Sequence, residues 1–122
     1  MLIALVDDDQ SVRAAVDSLL RAHGHDVLTF ASAEEFLAAQ LRPACLVLDN
    51  RLPGMSGLDL HRHLEHSNQL VPIVFVTSSD ASAAEVNALV ARGVAIAHFG
   101  KPFDPLRFVE AIDKAVSPMK GN

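Results

Sequence analysis

Polar side chains follow four short apolar runs of this 122-residue sequence, each at the point where a strand would end. Three aspartates at 7–9 follow the first run, and Asp49 follows the third. Thr77 follows the fourth run and Lys101 the fifth. Carboxylates that lie close together repel one another unless a cation neutralises them, and Mg²⁺ prefers carboxylate, water and phosphate oxygens. With a lysine and a hydroxyl they could stabilise an in-line phosphoryl transfer, which depends mostly on positioning and charge neutralisation.

Each of these residues also has a simpler interpretation when it is taken alone. An aspartate after a strand often caps the next helix, and this interpretation is favoured for Asp9. Capping or solvation would equally explain the pair Asp7 and Asp8, and it would explain Asp49, Thr77 or Lys101 by itself. Taken together, four strand ends with complementary chemistry favour a shared site, which requires a fold that gathers distant strand ends at one edge.

Hydrophobic periodicity predicts such a fold, because five apolar runs alternate with five helical patterns. The predicted strands cover residues 2–6, 27–30, 45–48, 73–76 and 94–99. The apolar helix positions are Val12, Val16, Leu19 and Leu20; Phe36 and Leu37; Leu58, Leu60 and Leu64; Val86, Leu89 and Val90; and Leu106, Val109, Ile112 and Val116. The alternation implies a parallel α/β sheet that is covered on both faces.

Local signals predict where several of these helices begin and end. Asp9 or Ser11 is placed to cap the first helix, and Ser32 with Glu35 forms a predicted capping box for the second. Pro43 follows the second helix, and Gly93 closes the fourth.

Composition predicts one domain over residues 1–117, with residues 118–122 as a tail or the start of a linker. The net charge of −5 argues against direct nucleic-acid binding, which requires clustered Lys and Arg. No apolar run approaches the roughly 20 residues of a membrane helix, and no secretory signal is visible. Cys45 is the only cysteine and is expected to be reduced and buried, so we expect a cytoplasmic protein without membrane contact.

The four polar motifs, in this order and spacing, resemble those of CheY-like response-regulator receiver domains of two-component systems. They are Leu5-Val6-Asp7-Asp8-Asp9; Leu46-Val47-Leu48-Asp49-Asn50-Arg51-Leu52-Pro53-Gly54-Met55-Ser56-Gly57; Phe75-Val76-Thr77-Ser78; and Gly100-Lys101-Pro102-Phe103. The resemblance covers almost the whole chain, and it is closest in character to receivers of LuxR/FixJ-type transcriptional regulators. It implies a flavodoxin-like (βα)5 doubly wound parallel sheet with strand order 2-1-3-4-5.

The resemblance also implies a phosphorylation site and a metal site. Asp49 would accept a phosphoryl group from a sensor histidine kinase in a reaction that needs Mg²⁺ or Mn²⁺. Asp8, Asp49 and the backbone carbonyl of Arg51 would bind the metal directly, and Asp7 would act through water. Such a domain is not expected to be an enzyme, since it catalyses only its own phosphorylation and dephosphorylation.

Further roles are implied for residues near the fourth and fifth strands. Thr77 and Lys101 would contact the phosphoryl group, and the peptide before Pro102 is expected to be cis. Thr77 would couple the site to the face formed by the fourth helix, the fifth strand and the fifth helix. An output domain in the same chain or a downstream protein would receive the signal, and phosphorylation could produce a homodimer.

Two positions depart from the commonest receiver pattern. His98 stands where receivers usually carry Tyr or Phe. It is either a plain edge histidine or a switch ring whose inward state depends on pH, because an imidazolium is costly to bury. Arg51 could reach the phosphoryl group or pair with Asp7 or Asp9, which would change the lifetime of the phosphorylated state.

Two alternative functions use the same residues. In a phosphatase or phosphotransferase of the haloacid-dehalogenase type, Asp7 and Asp9 would supply the Asp-x-Asp nucleophile motif, but the cap insertion and the usual Gly-Thr continuation are missing from the sequence. A pseudo-receiver, which only binds partners, would have lost the acceptor, the acidic pair or the lysine, and all of these are retained.

The remaining histidines carry no predicted chemistry. His61, His63 and His66 are interpreted as a solvated helix face rather than a metal site, because i and i+2 positions do not share a helix face. His23 and His25 flank a turn.

Overall fold

The computed structural model describes residues 2–77, 83–93, 95, 97–100 and 103–116. Five strands and five helices alternate along this part of the chain: β1 (Leu2–Val6), α1 (Gln10–Ala22), β2 (Asp26–Phe30), α2 (Ala33–Ala39), β3 (Cys45–Leu48), α3 (Gly57–His66), β4 (Ile73–Thr77), α4 (Ala83–Ala91), β5 (Ala97–Gly100) and α5 (Pro105–Val116). None of the described helices is long and apolar enough to cross a membrane.

All strand pairs are parallel and the strand order is β2-β1-β3-β4-β5. This order confirms the predicted flavodoxin-like sheet. β1 and β3 are neighbours, and in their register Val6 lies beside Leu48. The residues that follow these two strands therefore lie side by side. The carboxyl ends of neighbouring parallel strands therefore meet at one edge, where open α/β sheets bind their ligands.

Two apolar clusters cover the two faces of the sheet, because alternate strand residues point to opposite faces. Ala4 and Val6 of β1 belong to the cluster that includes residues of α2, α3 and α4, whereas Ile3 and Leu5 belong to the cluster that includes residues of α1 and α5. The free thiol of Cys45 lies in the second cluster, and burial raises its pKa to about 12. The expected reduced and buried cysteine is confirmed.

The caps of α1 and α2 follow the sequence prediction in part. Asp9 caps α1 through its carboxylate, which accepts hydrogen bonds from the backbone N–H groups of Ser11 and Val12. Ser32 caps α2 by accepting from the Glu35 N–H. The Glu35 carboxylate, however, accepts from the Ala31 N–H at 3.1 Å, so it reaches one residue beyond the position that a capping box requires.

A complete capping box occurs at α3, where the sequence analysis did not predict one. Ser56 Oγ accepts from the Asp59 N–H, and the Asp59 carboxylate accepts from the Ser56 N–H. These hydrogen bonds, the backbone one above all, hold the pKa of Asp59 below its ordinary value. The start of α3 is therefore firmly held next to the loop that follows β3.

The predicted fifth strand, over residues 94–99, begins too early and ends one residue short. β5 runs from Ala97 to Gly100. The Ala95 N–H donates to the Leu89 carbonyl, so the backbone at 95 belongs to the turn after α4. Gly93 closes α4 as predicted, with a φ of 76°, which glycine adopts without steric cost. The predicted tail at 118–122 lies outside the described residues.

Candidate functional site

Three aspartates converge at the carboxyl edge of the sheet. Asp7 and Asp8 follow β1, Asp49 follows β3, and one carboxylate oxygen from each lies within 4.8 Å of the other two. Asp7 is 1% exposed and Asp49 is 5% exposed, whereas Asp8 faces solvent. Buried carboxylates this close repel one another strongly in a medium of low dielectric constant. An all-oxygen donor set of this kind fits a hard divalent cation such as Mg²⁺.

The loop between β1 and α1 holds Asp7 through local hydrogen bonds. Asp7 Oδ1 accepts from the Asp9 N–H at 2.9 Å, and the Arg13 guanidinium donates to the Asp7 carbonyl at 2.7 Å. Asp9 in turn caps α1, which confirms the simpler interpretation of that residue. The loop therefore turns Asp7 inward and leaves Asp8 at the surface of the cluster.

Asp49 is held by the backbone on both sides of its position. Its N–H donates to the Val6 carbonyl at 3.0 Å, which extends the β1–β3 pairing by one residue. Its Oδ1 accepts from the Arg51 N–H at 3.1 Å, while the Arg51 side chain is exposed. The Arg51 backbone is thereby kept next to the carboxylate with which it is predicted to share a metal.

Asn50 is a site residue that the sequence analysis missed. Its side chain is 6% exposed, and its Oδ1 accepts from the buried Leu58 N–H at 2.8 Å. Its carbonyl accepts from the Gly57 N–H, and a Cβ on Gly57 would lie 2.6 Å from the Asp49 carbonyl oxygen. The first turn of α3 thus packs directly on the end of β3, and Gly57 permits that approach. A polar amide directly after the predicted acceptor was the available signal.

The predicted phosphoryl-contacting residues are described only in part. Thr77 ends β4, and its Cα pairs with that of Gly100, the last residue of β5. The Thr77 side chain, Lys101 and Pro102 lie outside the described residues, so the predicted contacts and the predicted cis peptide stay predictions.

His98 lies in β5 and contacts α4. Its ring is partly buried, and Nδ1 lies 2.8 Å from Asn87 Oδ1. An amide oxygen only accepts, so Nδ1 carries the proton in this contact. The contact with Asn87 cannot be predicted from the sequence, since nothing in the pattern links positions 11 residues apart on different elements.

The interpretation of His61 as part of a solvated face is wrong. His61 is 3% exposed, and no hydrogen bond to its buried Nε2 is found among the described residues. Burial is the main cause that lowers the pKa of His61; the carboxylate of Glu65 opposes the shift, and the positive charges of Arg62 and Arg92 add to it. The cause is the helical phase of α3, which turns His61 toward α4, while His63 and His66 are exposed as predicted.

His25 also has a contact that the sequence did not predict. Its side chain is 8% exposed, and Nε2 lies 2.8 Å from Asp113 Oδ1 on α5. This contact joins the turn before β2 to a helix 88 residues further along the chain.

Comparison with known proteins agrees with this geometry. The response regulator receiver domain family matches residues 3–113. The response regulator protein TmoT of Ectopseudomonas mendocina is 40% identical over 117 residues, which are 94% of this chain and 52% of TmoT. The transcriptional regulatory protein FixJ of Rhizobium meliloti is 34% identical over 115 residues, which are 93% of this chain and 55% of FixJ. The chain therefore spans about half the length of these two relatives.

A solved structure supports the same assignment. The response regulator receiver protein from Burkholderia phymatum superposes with a TM-score of 0.78 at 32% identity, and the match covers 97% of this chain and 98% of that one. The strand order, the acidic cluster and these matches agree, and the chain belongs to the response regulator receiver domain family.

Proposed function

We propose that Asp49 accepts a phosphoryl group from a phosphohistidine of a sensor histidine kinase, in a reaction that depends on Mg²⁺ or Mn²⁺. Receiver domains of two-component systems are switched by phosphorylation and bind Mg²⁺ at an acidic pocket. The observation that carries the proposal for this chain is the convergence of Asp7, Asp8 and Asp49 within 4.8 Å. No other such group of potential ligands occurs among the described residues.

The proposed transfer uses Asp49 as a nucleophile. A carboxylate oxygen forms the bond to phosphorus while the phosphorus–nitrogen bond of the phosphohistidine breaks, and the electron pair stays on the imidazole nitrogen. Asp8, Asp49 and the Arg51 carbonyl would hold the metal, with Asp7 acting through water. The bound metal would neutralise the charge on the transferring group. The buried position of Asp49 excludes water from one side of the carboxylate, and the Arg51 N–H keeps the carboxylate oriented.

Thr77, Lys101 and His98 would complete the switch. Thr77 and Lys101 would contact the phosphoryl group, and the change would be relayed to the face formed by α4, β5 and α5. The contact between His98 and Asn87 supports a link within this face, because it joins β5 to α4. If His98 is a switch ring whose inward state depends on pH, the phosphorylation-linked chemical shifts of this face should change with pH in the wild type but not in His98→Tyr. Identical behaviour of the two proteins would contradict that role.

The proposed partners follow from family membership and from the relatives. A sensor histidine kinase would supply the phosphoryl group, and an output domain of the same chain or a separate protein would receive the signal. Phosphorylation could also produce a homodimer. The net charge of −5 supports a domain that does not itself bind nucleic acid, and we propose that it works in the cytoplasm.

The experiment is phosphorylation of the chain with acetyl phosphate and Mg²⁺, followed by intact-mass measurement. We expect one added phosphoryl group in the wild type and none in Asp49→Asn. Asp26→Asn is the matched control, because Asp26 is an exposed aspartate at the amino end of β2, away from the carboxyl ends of the strands. Uptake that survives Asp49→Asn and requires Asp7 would favour the dehalogenase-type alternative. No uptake by the wild type, from acetyl phosphate or from a kinase, would favour a pseudo-receiver.

Arg51 is proposed to influence how long the phosphoryl group stays. Its side chain is exposed beside the acceptor, whereas its predicted metal ligand is the backbone carbonyl. Arg51→Asn should therefore change the rate of dephosphorylation more than the affinity for Mg²⁺. Equal phosphoryl lifetimes in the two proteins would refute this role.

A further inference from the structure

We propose that Glu34, at the start of α2, is a positioning residue for the β3–α3 loop (residues 49–56). The inference rests on the proposed function, in which this loop carries the metal-binding carbonyl of Arg51. Glu34 itself would contact neither the metal nor the phosphoryl group. It would act by holding the loop in the conformation that binds the metal.

The contact joins two elements that are distant in sequence. Glu34 Oε2 accepts from the Met55 N–H at 3.0 Å, across 21 residues of chain. Gly54 lies against the same oxygen, because a Cβ at that position would be 2.7 Å from Glu34 Oε2. Gly54 also has a φ of 75°, which a side chain would disfavour. Two adjacent loop residues therefore accommodate the Glu34 carboxylate: Met55 donates a hydrogen bond to it, and Gly54 leaves space for it.

Other contacts fix the loop on either side of this point. The Arg51 N–H is held by Asp49, the Leu52 side chain is buried in the core, and the Ser56 N–H is held by Asp59. Glu34 holds the segment between Leu52 and Ser56. Loss of its hydrogen bond would leave that segment with more conformations, and part of the binding free energy of the metal would then be spent on ordering it.

The chain offers a matched control at the next position. Glu35 is also exposed and also lies in the first turn of α2. Its carboxylate accepts from the Ala31 N–H instead of the loop. Glu35→Ala therefore removes the same charge from nearly the same place without removing the loop contact, whereas Glu34→Gln keeps an acceptor oxygen without the charge.

The experiment is calorimetric titration of the unphosphorylated chain with Mg²⁺. We expect Glu34→Ala to weaken Mg²⁺ binding about three- to tenfold, the range expected for one hydrogen bond. Glu34→Gln should recover part of the affinity, and Glu35→Ala should stay within about twofold of the wild type. In the metal-free protein, the Met55 amide should exchange with solvent faster in Glu34→Ala than in Glu35→Ala, which tests the loop contact independently of metal binding.

Two results would overturn the inference while leaving the proposed function in place. One is Mg²⁺ binding by Glu34→Ala that equals that of the wild type. The other is an equal loss of affinity in Glu35→Ala, which would show that charge alone is responsible. Failure of the proposed function looks different, because the wild type would then bind no Mg²⁺ and Asp8→Asn would change nothing, and that result overturns both.

Discussion

β3 and β5 are parallel strands of four residues each, but their surroundings differ. β3 lies between two strands, all four of its residues are buried, and the next two residues are held by backbone and amide hydrogen bonds. β5 lies at the edge of the sheet, its residues are partly buried or exposed, and His98 is joined to α4 by an exposed hydrogen bond. The difference matches the proposed roles: carboxylates must be held in place before the reaction, whereas a signalling face must shift at low cost.

The largest expected effect compares Gly57, which lies against the end of β3, with Gly100, the last residue of β5. Gly57→Ala would place a Cβ 2.6 Å from the Asp49 carbonyl oxygen, and this backbone cannot move aside cheaply. We expect a loss of about 1–3 kcal/mol in the free energy of unfolding, measured by urea titration and circular dichroism, with weaker Mg²⁺ binding. Gly100→Ala, at the end of β5, meets no atom within 4 Å and should change stability by less than about 0.5 kcal/mol. Equal losses of unfolding free energy in the two variants would contradict the proposed difference between β3 and β5.

The second prediction compares Asn50, which follows β3, with Asn87, which contacts His98 of β5. Asn50→Ala removes the acceptor of the buried Leu58 N–H and should cost about 1–3 kcal/mol of stability. Asn87→Ala removes an exposed hydrogen bond to His98, where water can replace the lost partner. Its cost should stay below about 0.5 kcal/mol. Chemical denaturation of both variants measures the difference in stability. A larger loss in Asn87→Ala than in Asn50→Ala would contradict the view that the end of β3 is held more firmly than β5.

The smallest expected effect concerns His61, which lies on α3 against α4. Because burial lowers its pKa, the folded state favours the neutral ring. The unfolded state therefore binds more protons once the pH falls below the ordinary value of 6.5, and stability decreases as the pH falls further toward the lowered pKa. His61→Leu should reduce the loss of unfolding free energy between about pH 7.5 and about pH 5.5.

The control for His61 lies on the same helix. His63 is exposed, so His63→Leu makes the same side-chain change on this helix without removing a buried ring. The same slope in wild type and His61→Leu would show that His61 is protonated as easily in the folded as in the unfolded chain.

Much of the fold was predictable because its signals are local. Apolar runs and helical spacing located the five strands and five helices of the described residues, and Asp9, Ser32 and Gly93 marked helix ends as expected. The start of β5 was missed, because an apolar run can continue a turn as well as a strand. His61 was missed because the side of α3 on which it lies becomes buried only when α4 packs against it.

For the candidate site, the sequence by itself determined which residue types follow each strand. The acids at 7, 8 and 49 were identified from those positions and from the resemblance to receivers. The tertiary structure decided that these carboxylates come within 4.8 Å of one another, and it added Asn50 and Glu34. Periodicity reflects interactions over a few residues, whereas contacts across 21 or 88 residues depend on how the packed layers meet.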